Sequence, residues 1–338
     1  MDVAALQQQL TRGKVAPVYL ILGTQQVLQR QARSAFERLV PAEEKVMNVG
    51  AYDMEETPVS VAVDDAMSAP FFGQRRLVIV NKPFFLTGQR GKGKVEHDVE
   101  GLVKYLTNPQ PTTVLVFLAP YDKLDGRKAV VKKLKKVAVT VDASPLDERA
   151  ARHAIQQRFT KEGVKIAPAA LDELVRRTNA DYGLMSARVK QLALLAYPQK
   201  EVTIDQVAGL VPQSLDDNVF HLVNAVLKRD QRAALDLYHQ LIESQTAPLA
   251  INATLVSQFR LLIQLKVLAS RGLSQAGLAR KLKVHPYRVK LGLRTARQFS
   301  LAALNAAFLG LVEVDYQLKT TAQSPELLFQ LFMLRLGK

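Results

Sequence analysis

Apolar residues cluster along the first 140 positions in short, unbroken runs. Val18-Tyr19-Leu20-Ile21-Leu22, Leu77-Val78-Ile79-Val80 and Val114-Leu115-Val116-Phe117-Leu118 are three of them, and Val137-Ala138-Val139-Thr140-Val141 is a fourth. Runs without polar interruption suit strands buried on both faces of a parallel sheet. Between the first two runs, Val59, Ala62, Val63, Ala66 and Met67 fall at helical spacing within 58–68. Thr57 is the expected cap of that helix and Pro58 lies in its first turn. Strands alternating with helices predict an α/β domain, a parallel sheet with flanking helices, over residues 1–142.

After the turn-like Ser144-Pro145-Leu146-Asp147-Glu148, strand signals nearly vanish. Residues 143–212 predict a small all-α domain of short helices, with Pro168 opening one and Pro198 following another. Val202-Thr203-Ile204-Asp205 reads as a brief extended link. Gln213-Ser214-Leu215-Asp216-Asp217 then separates a longer all-α domain, 213–338. There Val219, Phe220, Val223, Val226 and Leu227 repeat as one helix face, while Leu255, Phe259, Leu262, Ile263, Leu265 and Val267 mark a more fully apolar helix. Leu327, Leu328, Leu331, Phe332 and Leu334 follow Pro325 in a closing helix, and no fixed-period repeat links these segments.

Composition narrows the function classes. A chain of 338 residues is long for one core and accommodates two or three domains. The 46 Lys and Arg exceed the 31 Asp and Glu by 15, a balance that favours a polyanion or an acidic partner. Cysteine is absent, which excludes disulfides, thiol catalysis and cysteine-ligated metal centres. No uninterrupted apolar run approaches the roughly 18 residues of a membrane span, and Met1-Asp2-Val3-Ala4-Ala5-Leu6 lacks the basic start and apolar core of an export signal.

The first strand is followed by Gly23-Thr24-Gln25-Gln26-Val27-Leu28, without the Lys that a phosphate-binding loop needs at this place. Gly88-Gln89-Arg90-Gly91-Lys92-Gly93-Lys94-Val95 has the spacing of such a loop, but Val95 replaces the metal-binding hydroxyl and the polar setting indicates an exposed basic loop. His97, His153, His221, His239 and His285 show no metal-like spacing, and a structural place at a helix start is expected for His285. No serine elbow or phosphotransfer signature occurs, so no catalytic residue, cofactor or metal site is expected and a binding protein is favoured.

Three features leave two readings each. Phe71 and Phe72, in Pro70-Phe71-Phe72-Gly73, either close the end of the core or form an exposed anchor at a helix-to-strand junction. The segment from Ser274 to Gln298 reads as two helices around Val284-His285, with Arg288, Lys290, Arg294 and Arg297 on the second. It is either a helix-turn-helix for duplex DNA or a packed helical pair, since Val289, Leu291 and Leu293 make the second helix largely apolar. Lys132, Lys133, Lys135 and Lys136 are either a solvated helix face or a contact for DNA phosphates.

The run from Lys283-Val284-His285-Pro286-Tyr287-Arg288-Val289-Lys290 to Arg297-Gln298-Phe299 resembles the C-terminal domain of the delta subunit of the bacterial DNA polymerase III clamp loader. Pro17-Val18-Tyr19-Leu20-Ile21-Leu22-Gly23 looks like that family's opening strand, and 218–226 like the start of its last domain. The resemblance implies an AAA+-like N-terminal domain without a working phosphate loop, a helical lid and a helical collar that holds the helix pair of 274–298. It implies a clamp-contacting element at Phe71 and Phe72, with Pro70 and Met67 beside them. It also implies a cytoplasmic, nucleoid-associated subunit without catalysis of its own, the nucleotidyltransferase activity belonging to the DNA polymerase III holoenzyme. The implied partners are the sliding clamp (beta), the ATPase (tau/gamma) and delta-prime subunits and primed DNA, with no membrane. A helix-turn-helix DNA-binding regulator and a degenerate AAA+ ATPase are the alternatives.

Overall fold

The three unbroken apolar runs become the inner strands of a parallel sheet. The computed structural model describes residues 1–89, 95–212 and 215–337, and the chain divides into two compact units, Met1–Leu146 and Asp147–Lys338. The first unit runs α1 (Val3–Thr11), β1 (Val18–Leu22), α2 (Gln26–Glu37), α3 (Lys45–Asn48), β2 (Val49–Asp53), α4 (Val59–Met67), β3 (Arg76–Asn81), α5 (Val99–Tyr105), β4 (Thr113–Ala119), α6 (Ala129–Val137) and β5 (Val139–Asp142). The strands lie in the order β2-β3-β4-β1-β5, all parallel.

Alternation along each strand divides its side chains between the two faces of the sheet. Val18, Leu20, Val78, Val80, Leu115 and Phe117 pack with Val59, Ala62 and Ala66 of α4, Leu102 of α5 and Val130, Val131 and Leu134 of α6. Tyr19, one residue out of phase, meets Phe36 of α2 with ring centroids 4.7 Å apart. Each such fully buried large apolar side chain stabilises the fold by roughly 1.5–3 kcal/mol.

Some sequence expectations need correction. β2 was not expected, because Val49-Gly50-Ala51-Tyr52-Asp53 is a half-exposed edge strand and carries no continuous apolar run. Val137 and Ala138 are not strand: Val137 ends α6, whose inner face continues through Val130, Val131 and Leu134. Thr57 does not cap α4, since Pro58 occupies the cap position without a side-chain bond. The Val59 N–H is instead satisfied by His97 Nδ1 at 3.1 Å, from a residue far along the chain.

The second unit runs α7 (Glu148–Lys161), β6 (Lys165–Ile166), α8 (Pro168–Arg177), α9 (Tyr182–Leu195), β7 (Glu201–Val202), α10 (Ile204–Leu210), α11 (Leu215–Leu227), α12 (Gln231–Glu243), α13 (Pro248–Ser270), α14 (Gln275–Leu282), α15 (Pro286–Gln298), α16 (Leu301–Thr320) and α17 (Pro325–Gly337). The expected extended link is shorter: Val202 pairs with Ile166 in a two-stranded parallel ladder, and Thr203 already caps α10 in a reciprocal box with Gln206. Glu173 accepts from Arg176 at 2.7 Å and Arg177 at 2.5 Å, and Arg177 also donates to the Val211 carbonyl at 2.6 Å, tying α8 to the end of α10. The Arg176 bond, against burial and with help from Arg177, pulls the Glu173 carboxyl down to about 2. Gln213 and Ser214, in the expected separator, lie outside the described residues.

A continuous core joins α11, α12, α13, α16 and α17 through Val219, Val226, Tyr238, Leu255, Phe259, Leu311 and Phe329. Leu327 and Leu334, expected inside, are exposed, and the inner face of α17 is Leu328, Phe329, Phe332 and Met333. Among the described residues one helix, α16, is long and apolar enough by composition to cross a membrane. It sets Leu304, Ala307, Leu311 and Val314 into this core.

Candidate functional site

A parallel sheet has two unlike ends, and nucleotide sites in such sheets form at the carboxyl ends of the strands. Here that end is filled by the protein itself. Only Gly23, Thr24 and Gln25 connect β1 to α2. Gly23 has φ +142°, and a Cβ there would overlap the Ala143 backbone, so the chain passes too close for any larger residue. The Gly23 N–H donates to the Ala119 carbonyl at 3.1 Å and the Gln25 N–H to the Ala143 carbonyl at 3.0 Å.

Gln29, buried on the first turn of α2, aims its amide into the same place. Its Nε2 donates to the carbonyls of Gly23, Ile21 and Ala119 at 2.9, 3.2 and 3.3 Å. The backbone N–H groups at this turn thus bond to backbone carbonyls, where a phosphate loop would turn them toward an anion. Further along the same edge, Lys82 donates to Asp53 at 2.7 Å and Glu55 at 2.8 Å. Those two bonds raise the Lys82 ammonium above its ordinary range. Burial would raise the Asp53 carboxyl, but its bonds from Lys82 and the Glu55 N–H hold it below its ordinary value.

The amino ends of β2 and β3 are built the other way. Asn48, fully buried at the end of α3, accepts from the Phe71 N–H at 2.6 Å and donates to the Phe71 carbonyl at 2.9 Å. One side chain thereby satisfies both backbone groups of Phe71, and the ring is left to point outward. Phe72 follows in the left-handed region at φ +52°. Gly73 sits where a Cβ would overlap the Glu44 carboxylate and come within 2.9 Å of Asn48 Nδ2. Arg76 completes the support: Nε donates to Asp65 Oδ1 at 2.7 Å, Nη2 makes a second bond to the same oxygen, and Nη1 reaches the Met47 carbonyl at 3.3 Å.

On this frame Phe72 is 93% exposed and Phe71 51%, with their rings 4.6 Å apart edge to face. Met67, at the end of α4, is also exposed, and Pro70 is half-buried. Of the two readings, closure of the core therefore fails: neither ring is in it. A non-glycine residue at positive φ holding an almost bare phenyl ring is costly in water, and such features gather at binding sites. The four residues singled out from sequence lie together on one rim. Sequence reasoning missed Asn48 and Gln29. Their only signal is a polar residue where strand-adjacent packing calls for an apolar one.

The remaining candidates are dispersed. Lys132, Lys135 and Lys136 are exposed on the outer face of α6 and Lys133 is half-buried. The α14–α15 pair is capped by Ser274 and by His285, whose Nδ1 accepts from the Tyr287 N–H at 3.3 Å. Its inner side, Leu278, Ala279 and Val289, packs on Leu261 and Leu265 of α13. Gly292 lets α15 approach closely, since a Cβ there would lie 2.6 Å from Leu265 Cδ1, and Lys290 is paired with Glu148 at 2.8 Å. Among the described residues no group of three or more His, Asp or Glu is arranged to hold a metal. Arg90, Gly91, Lys92, Gly93 and Lys94 of the glycine-rich loop lie outside the described residues.

A five-stranded parallel sheet with flanking helices, followed by a mainly helical unit, makes this an AAA+-like α/β protein whose nucleotide end is occupied by its own backbone and Gln29. The family described as DNA polymerase III, delta subunit, matches residues 19–144, and the C-terminal domain of the same subunit matches 216–336. The DNA polymerase III subunit delta of Bacillus subtilis (strain 168) is 37% identical over 330 residues, 97% of this chain and 95% of that one. The solved structure of the Bacillus subtilis DNA clamp loader delta protein (YqeN) superposes with a TM-score of 0.78 at 37% identity, covering 99% of each chain. The chain belongs to the DNA polymerase III delta subunit family.

Proposed function

We propose that this protein is the delta subunit of a DNA polymerase III clamp loader, and that it binds the sliding clamp through Phe71 and Phe72, flanked by Pro70 and Met67. The observation that carries the assignment is the loop itself: two exposed aromatic rings on a backbone pinned by buried Asn48. Preorganised aromatic side chains of this kind act as anchors, because little conformational entropy remains to be lost when they enter a partner's pocket. An anchor that fits the opened ring better than the closed one shifts the ring's population toward opening, and no chemistry on this chain is needed for that. Energy input comes from the ATPase (tau/gamma) subunits, with delta-prime completing the assembly.

In this reading residues 143–212 act as the lid and 213–338 as the collar through which the subunits assemble. The packing of α14–α15 onto α13 suits a collar element better than a groove-reading pair. Lys132, Lys133, Lys135 and Lys136 supply phosphate contacts to primed DNA, and the protein works in the cytoplasm at the nucleoid. The test is binding of the full chain to the same cell's sliding clamp, with and without ATP. Wild type binds without ATP, and Phe71→Ala with Phe72→Ala weakens it by about thirtyfold or more, on the order of 2 kcal/mol. Unchanged affinity in the folded double mutant refutes the assignment.

A further inference from the structure

The anchor is too small to be a whole interface. A stable protein contact covers about 800 Å² per partner and roughly 20 to 30 residues a side, so a partner seated on Phe71 and Phe72 must also cover the surface next to them. Two neighbouring surfaces are available. One is the groove between α4 and α5, beyond Met67, lined by Ser60, Asp64, Asp98, Lys104 and Asn108. Two of its side chains, Asp64 and Asp98, are carboxylates, and Val63, Met67, Leu102 and Tyr105 complete its lining. The other is the segment from Ala42 to Asn48, which is held against the anchor loop by three contacts already described: Asn48 on Phe71, Glu44 against Gly73, and the Met47 carbonyl on Arg76.

That second surface is apolar where the fold does not require it. Val46 is 90% exposed and Met47 51%. Among the described residues of the first unit, every exposed large apolar side chain except Met1 and Val61 lies on this one rim: Val46, Met47, Met67, Phe71 and Phe72. Exposed apolar side chains are ordinarily scattered singly, and a cluster marks a contact surface.

We infer that α3 is the second half of the clamp-docking surface, with Val46 and Met47 covered by the sliding clamp when Phe71 and Phe72 are seated. This rests on the anchor reading and extends it to a segment earlier in the chain. Asn48 joins the two halves: it ends the helix that carries Val46 and Met47, and its side chain holds Phe71. The two contacts are therefore presented as one rigid unit.

The experiment compares clamp affinity of the full chain for wild type, Val46→Ser, Met47→Glu, the Phe71→Ala, Phe72→Ala double mutant and Leu194→Glu. Leu194 is a control, 75% exposed in the other unit. The expected result is a loss of about tenfold for Val46→Ser or Met47→Glu at unchanged melting temperature, with Leu194→Glu binding as wild type. If Val46→Ser and Met47→Glu both bind as wild type while the double Phe mutant does not, the inference falls and the anchor stands. If none of these weakens binding, both fall. Hydrogen exchange on the wild-type chain gives a second reading that needs no variant: clamp addition slows exchange of the amides of residues 45–49, and unchanged exchange there overturns the inference.

Discussion

The two ends of the central sheet treat their side chains in opposite ways. At the carboxyl end of β1 a polar residue, Gln29, is turned inward and spends its donors on three backbone carbonyls. At the amino end of β3 two aromatic residues are turned outward, above a buried Asn48 that satisfies the backbone beneath them. Each arrangement inverts the usual preference for apolar groups inside and polar groups outside. The same sheet can thus close one end over its own backbone and hold two bare aromatic rings at the other, because the two ends are separated by the length of the strands.

The sharpest way to break the closed end is Gly23→Ala. A Cβ at φ +142° overlaps the Ala143 backbone, which cannot move without breaking the Ala143 N–H bond to the Leu22 carbonyl. A loss of about 3 kcal/mol in urea unfolding is expected. Gln29→Leu tests the same end more gently. It leaves buried carbonyls without this donor at roughly unchanged volume, and about 2 kcal/mol is the expected loss. Neither substitution confers ATP binding, which equilibrium dialysis with labelled ATP checks.

At the open end Asn48→Ala removes both bonds to Phe71 and frees the loop. It is expected to cost about 1 to 2 kcal/mol in stability and to weaken clamp binding several-fold with the two rings still present. Asn48→Asp, which retains the acceptor for the Phe71 N–H but not the donor to its carbonyl, falls between. Clamp affinity beside unfolding midpoints for the two variants separates presentation of the rings from their mere presence.

The smallest effect concerns α4, the helix that spans from one end of the sheet to the other. His97 holds the first N–H of α4 as a neutral acceptor, and burial lowers its proton affinity below that of a free histidine. The unfolded chain therefore takes up a proton near its ordinary value of about 6.5 while the folded chain resists. Stability from this group is present above that pH and is lost as pH falls toward the lower folded value. Melting temperature followed from pH 7.5 to 5 is expected to decline through this window in wild type and to decline less in His97→Gln.

Much of the fold was legible in the chain because its signals are local. The run Val18-Tyr19-Leu20-Ile21-Leu22 is β1 residue for residue, and Pro168, Pro286 and Pro325 each open a helix as Pro in a first turn does. The edge strand β2 was not legible, since half-exposed residues need no apolar run, and neither was the place of His97, whose bond to Val59 joins positions 38 apart. The anchor was half legible. Two adjacent phenylalanines between a helix and a strand could be singled out, but whether they lay in the core was open until the structure showed both rings outside it.

The sequence by itself determined the three inner strands and the helices that follow proline, that the first turn lacks a lysine for phosphate, and that a basic chain of this length builds an α/β region followed by helices. Those properties follow from periodicity, turn chemistry and charge, which act between near neighbours. Only the tertiary structure decided that Gln29 plugs the carboxyl end of the sheet and that Asn48 turns Phe71 outward, with Val46 and Met47 on the same rim. Each of those outcomes depends on a hydrogen bond or an exposure set by residues far apart in the chain, and a buried polar side chain takes its role from the partner the fold brings to it.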